Sequence, residues 1–149
     1  TGLPGLPNMV YSEVPLDMQS ALEQASLFVG HAGHASAAQA MCKGVPCLML
    51  PNHAEQFILA RRVEACGLGI NVAALARPVD YAALIDALLA PQGAHQVAAR
   101  AFAARLLGFD PPSVGAAAAD AAEALLKGTG TLPSPEFQHP ERTKPVRLN

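Results

Sequence analysis

Three short apolar runs, each separated from the next by a stretch of helical spacing, constrain this chain more than any other feature. Leu27 to Gly30, Val45 to Leu50 and Leu68 to Val72 have strand length and little polar content. Between them lie an alanine-rich stretch, Ala35 to Lys43, ended by Gly44, and a longer one, about His53 to Cys66, closed by Gly67. Strand, helix and strand in alternation predict a parallel sheet, because parallel neighbours need a long crossover and antiparallel ones do not. A continuously apolar strand also fits a sheet covered by helices on both faces better than one open to water. The expected class is therefore α/β, a Rossmann-like parallel sheet with flanking helices. Open sheets of this kind bind ligands at the C-terminal ends of their strands. His31, Ser36, Glu55 and Gln56 fall at that edge.

The flanking segments extend the pattern. Asn8 to Tyr11 reads as a further short strand. A helix opened by Pro15 places Met18, Ala21, Leu22 and Ala25 on one face. Three helices are expected later: Val79 to Ala90, Ala94 to Leu107, and Ser113 to Lys127 with Ser113 as its N-cap. From Gly128 onward, glycine, threonine and three prolines (Pro133, Pro135, Pro140) read as an extended or disordered tail.

Composition excludes several classes. With 51% hydrophobic and 15% charged residues and no Trp, the chain can build a core from Ala, Leu and Val. A net charge of −2 gives no electrostatic case for nucleic acid, which demands a clustered basic face. No apolar run nears the roughly 20 residues of a membrane span, and no signal peptide opens the sequence. Cys42, Cys47 and Cys66 lack Cys-x-x-Cys spacing and read as reduced, buried small hydrophobes. The expected setting is cytoplasmic, at most peripheral to the inner face of the membrane. His31, His34 and His53 match no established zinc spacing, so no metal is assigned. His95 and His139 read as surface residues, and Arg61 and Arg62 as a solvated helix face.

Individual residues at the strand ends suit an anion at one helix start and a polyol at the other. A helix starting after Gly33 would aim its first N–H groups at an anion such as a diphosphate. Gly33 fits a turn of positive φ that lets backbone approach that anion. Ser36 can cap the helix, bond phosphate, or do both. Glu55 and Gln56 bring an acceptor and a donor side by side, either for hydroxyls or simply as favourable polarity at a helix start.

The ordered set His31-x-Gly33-x-x-Ser36, Gly44-Val-Pro46, Pro51-x-x-x-Glu55-Gln56, Ala60-x-x-Val63 and Gly67-x-Gly69 resembles the donor-binding half of GT-B nucleotide-sugar glycosyltransferases, most closely the bacterial relatives of the UDP-glycosyltransferases. These motifs span roughly Val14 to Gly69. The resemblance implies that residues 1–127 form a C-terminal donor-binding domain lacking its first strands, the incomplete C-terminal half of a GT-B fold, with residues 128–149 as a tail. It implies an inverting transfer of a sugar to an acceptor hydroxyl, with a UDP- or dTDP-sugar as donor substrate and no further cofactor. His31, Gly33 and Ser36 would hold the diphosphate, Val14 and Gln39 the nucleoside, and Glu55 and Gln56 the sugar. The chain itself would hold no catalytic residue. The general base and acceptor pocket would belong to an N-terminal domain, in the same parent chain or a separate subunit, so this chain alone would be inactive. Two departures stand out: Gln39 replaces the Glu that holds the ribose diol in many relatives, and Glu13 precedes Val14 where an aromatic residue often stacks on the base. They leave open an alternative, a non-catalytic subunit or degenerate binding module that pairs with a separate acceptor-domain chain.

Overall fold

The computed structural model describes residues 8–108 and 111–128, with the backbone alone for 111–113. The expected tail beyond Gly128, with His139, lies outside the described residues. Two compact units divide the chain, Thr1–Arg105 and Leu106–Asn149.

The first unit is built on a parallel sheet of three strands: β1 (Phe28–Gly30), β2 (Cys47–Met49) and β3 (Gly69–Asn71). Register pairs Val29 with Leu48 and Leu48 with Ile70. Alternation sends Cys47 and Met49 to one face and Leu48 to the other. On the first face they join a core with Leu22, Ala37, Ala40, Ala60, Val63, Leu68 and Ala99. This core joins helices α1 (Met18–Gln24), α2 (His34–Cys42), α3 (Ala54–Ala65) and α5 (Ala94–Arg105). On the second face Leu48 packs with Val72 and with Leu88 of α4 (Tyr81–Leu89). Full burial of Leu48 and Leu88 contributes about 1.5–3 kcal/mol each. The small alanines of α2 let it lie close to the sheet and to α5. The second unit contains α6 (Pro111–Leu126).

Most boundaries follow from local chemistry. Asp17 caps α1 through Gln19 N–H, and Asp80 caps α4 through Ala83 N–H. Gly44 and Gly67, at φ 71° and 72°, end α2 and α3 in the left-handed conformation glycine favours.

Several expectations are corrected. Asn8 to Tyr11 forms no strand; Val10 is 98% exposed, and apolar content makes no strand without a neighbouring ladder. The first helix begins at its Asp17 cap, not at Pro15. The last helix begins at Pro111, so Ser113 lies inside it rather than capping it. Val29 is half exposed, because α4 covers β2 on that face and leaves β1 open. Of the cysteines only Cys47 is buried. Cys42 and Cys66 sit at the ends of α2 and α3, where the helices leave the core. His95 is no free surface residue: its Nδ1 lies 2.8 Å from the Gly67 carbonyl oxygen and ties α5 to the end of α3.

Candidate functional site

The strands are parallel, so the helices that follow β1 and β2 both begin at the C-terminal edge of the sheet. Neither α2 nor α3 has a side-chain cap at its N-terminus. The first helical bond of α2 runs from Ala37 N–H to the Gly33 carbonyl, 3.0 Å. The N–H groups of His34, Ala35 and Ser36 are thus left without helical partners. α3 repeats the arrangement: Phe57 N–H bonds the His53 carbonyl at 3.0 Å and the donors before it are free of the helix.

Gly33 is the N-cap of α2, with φ −67° and ψ 135°. The expected positive φ is therefore not at Gly33. It falls one residue earlier, at the buried Ala32, φ 61°, which absorbs the sharp turn from strand to helix. A Cβ built on Gly33 would meet only Ser36 Oγ at 3.6 Å, an ordinary contact. Nothing in the chain's own packing demands a glycine here. Ser36 is not the cap either; its hydroxyl donates back to the Gly33 carbonyl at 3.4 Å. His31, directly after β1, is exposed.

Glu55 is the second residue of α3 and exposed, and its Oε1 accepts from His34 Nδ1 at 3.1 Å. The other carboxylate oxygen has no hydrogen-bond partner among the described residues. Gln56 Oε1 accepts from Asn52 N–H at 2.8 Å, which braces the loop before α3 and leaves the amide NH2 without a partner among the described residues. The pair thus offers one free acceptor and one free donor group side by side. The structure brings together Gly33, His34, Ser36 and Glu55. It does not join Val14 or Gln39 to them. Val14 is 70% exposed, with its carbonyl accepting from Ser12 Oγ at 2.7 Å, and Gln39 is exposed on α2.

Among the described residues no three His, Cys, Asp or Glu side chains gather to hold a metal ion. Burial pushes the Cys47 thiol up to about 12. Asp17 is held below the ordinary carboxylate value by the Ser20 hydroxyl and the Gln19 N–H. A shallow cavity of about 220 Å³ beside the strand ends is lined by Pro51, Asn52, Arg77 and Tyr81 among others. A larger hollow of about 520 Å³ includes Lys43, Arg100 and Gln96. Its walls include Ser26 and Val45, just before β1 and β2, so it lies at the opposite end of the sheet from the helix N-termini.

Sequence reasoning missed the partnership of His34 with Glu55. A signal for it existed: consecutive strand–helix units in a parallel sheet set their helix N-termini side by side, and these residues open consecutive helices.

A parallel sheet flanked by helices, with two uncapped helix starts at one edge, is the Rossmann-like arrangement in which open α/β domains meet their ligands. The chain belongs to the erythromycin biosynthesis protein CIII-like C-terminal domain family of glycosyltransferases, whose model matches residues 2–113. It is 45% identical over 49 residues to the NDP-glycosyltransferase YjiC of Bacillus subtilis (strain 168), a match covering 33% of this chain and 12% of that protein. The NDP-glycosyltransferase YjiC of Bacillus licheniformis is 46% identical over 48 residues, 32% of this chain and 12% of that protein. The fold resembles spinosyn forosaminyltransferase SpnP with a TM-score of 0.65 at 18% identity, over 87% of this chain and 33% of that one. The glycotransferase of kitacinnamycin matches with a TM-score of 0.51 at 25% identity, over 62% of this chain and 24% of that one. The matched stretches are thus a minor part of each relative's length. Among the described residues no helix is long and apolar enough to cross a membrane.

Proposed function

We propose that this chain is the donor-binding half of an inverting glycosyltransferase, taking a UDP- or dTDP-sugar and passing the sugar to an acceptor hydroxyl. One observation carries this reading. The uncapped start of α2, with a glycine that neither φ nor packing requires, opens beside the free polar groups of Glu55 and Gln56. A diphosphate satisfies the N–H groups of His34, Ala35 and Ser36 with help from His31, and a bare Cα at Gly33 admits it against the backbone. The free Glu55 oxygen accepts from a sugar hydroxyl, and the Gln56 amide donates to another.

The reaction is a direct displacement. The acceptor oxygen forms a bond to the anomeric carbon as the bond to the diphosphate oxygen breaks. The acceptor proton passes to a general base, and the nucleoside diphosphate departs with its growing charge met by the helix N–H groups and His31. We assign the base and the acceptor pocket to an N-terminal domain, in the same parent chain or a separate subunit. Val14 backbone and Gln39 would meet the nucleoside.

The test compares two ligands on the complete transferase. Glu55→Ala or Gln56→Ala should weaken UDP-glucose or dTDP-glucose roughly ten- to a hundredfold and leave UDP or dTDP unaffected. If Glu55 merely favours the start of a helix, the effect is a small stability loss, equal for both ligands. Equal losses would sink the sugar role.

A further inference from the structure

His34 has no part in the reaction outlined above beyond its backbone N–H. Its side chain nevertheless makes the contact that joins the two halves of the site. It opens α2, while Glu55 lies in the first turn of α3, and Nδ1 donates to Oε1 at 3.1 Å. Both side chains are largely exposed, 64% and 70%, so the contact adds little to stability. Its effect is directional. A Glu side chain at an exposed helix start samples many rotamers, and fixing one of its oxygens restricts where the other can point.

We infer that His34 is a positioning residue for donor-sugar recognition: it holds Glu55 Oε1 so that Oε2 is presented to a sugar hydroxyl. This rests on the sugar-binding reading of Glu55 given above. Gln56 shows the same economy, with its Oε1 fixed by Asn52 N–H and its amide donors unpartnered among the described residues. Two adjacent side chains are each tethered through one atom to the protein and offer the other end outward. A ligand that meets both therefore loses less side-chain freedom on binding than one that must order them itself.

The experiment measures the ratio of affinities for UDP-glucose and UDP, or dTDP-glucose and dTDP, in the complete transferase. Using the ratio cancels any change in the diphosphate cradle. His34→Phe keeps a planar ring and removes the donor, and should lower the ratio about two- to fivefold, the upper range of one exposed ion-pair contact. His34→Asn can place an amide N–H near the same point and should restore most of it. In a Glu55→Ala background, His34→Phe should have no further effect on the ratio. If His34→Phe leaves the ratio unchanged while Glu55→Ala collapses it, the positioning role is overturned and the sugar reading stands. If Glu55→Ala itself leaves the ratio unchanged, both fall. A His34→Phe loss that persists without Glu55, or that Asn fails to rescue, also overturns the inference. The exposed side chain at position 34 lets each variant fold, which a thermal melt checks.

Discussion

Gly33 separates a fold role from a ligand role at the level of one residue. Its φ of −67° suits any amino acid, and a Cβ there would touch only Ser36 Oγ at 3.6 Å. Gly33→Ala should therefore leave stability unchanged or raise it by about 0.4–1 kcal/mol, through a less flexible unfolded chain. The same methyl would stand between the backbone and a bound phosphate, so UDP affinity in the complete transferase should fall at least about tenfold. A melt and a titration together decide it; unchanged UDP affinity would remove Gly33 from the site. Cys47 offers a second test. Its thiol is buried and pushed up to about 12 from an ordinary 9.0. The neutral form's contribution is complete below pH 9 and declines as pH rises from 9 toward 12, where the unfolded chain ionises and the folded one resists. Between pH 8 and 10.5 the stability gap between the wild type and Cys47→Ala should narrow by about 2 kcal/mol in urea titrations. Native alkylation should label the exposed Cys42 and Cys66 and spare Cys47. The sequence showed which residues stand at the strand ends, because their positions follow from the order of elements. It could not show that the turn strain falls on Ala32 instead of Gly33, or that Glu55 is tethered, because both depend on how neighbouring loops meet.

At the scale of elements, the glycines of β3 and the preceding turn differ in what they do. Gly67 ends α3 at φ 72°, whereas Gly69 is demanded by packing: a Cβ there would lie 2.0 Å from the Cys47 carbonyl oxygen. Gly69→Ala must push β3 off β2, and since Cys47 N–H and the Leu68 carbonyl already hold the strands at 3.0 Å, backbone has to move. We predict a loss of about 3 kcal/mol or more, read from a urea melt; a loss below about 1 kcal/mol would show that the strand end yields easily. The order of strands and helices was legible because each apolar run is bounded by a glycine, proline or capping residue. The strands are shorter than those runs, since pairing ends where a neighbour ends: Leu50 N–H still reaches the Gly30 carbonyl at 2.8 Å, and among the described residues no ladder bond follows it. Asn71 was not legible at all. It closes β3, is wholly buried, and accepts from Ala73 N–H through Oδ1 while its Nδ2 has no partner among the described residues. A polar residue in an apolar run carries no sign of which way its amide will face.

At the scale of the whole molecule, the sheet has an open side. Phe28 N–H bonds the Pro46 carbonyl and Gly30 accepts from Leu50, so β1 meets β2 through Phe28 and Gly30. In a parallel ladder the N–H and C=O of the residue between them, Val29, face the other way. Among the described residues no strand takes them up, and the Val29 side chain is 50% exposed. Such an edge is a template for pairing with another chain. The proposed function accounts for it if further strands of a longer transferase lie there. Expressed alone, the chain should yield no transfer product from UDP-glucose or dTDP-glucose with generic hydroxyl acceptors, since the proposed base and acceptor pocket belong to the other domain. It should also associate through β1 as its concentration rises. Val29→Lys sets a charge on that edge without entering the packed face of β2, and should keep the isolated chain monomeric to higher concentration in light scattering. In the complete transferase the same lysine would be driven into a covered sheet, where an unpaired charge is costly, and should lower the melting temperature. Opposite effects in the two settings are the expected result. A solubility gain with no loss in the complete protein would show that this edge stays open there, and would remove the reason for placing further strands beside β1.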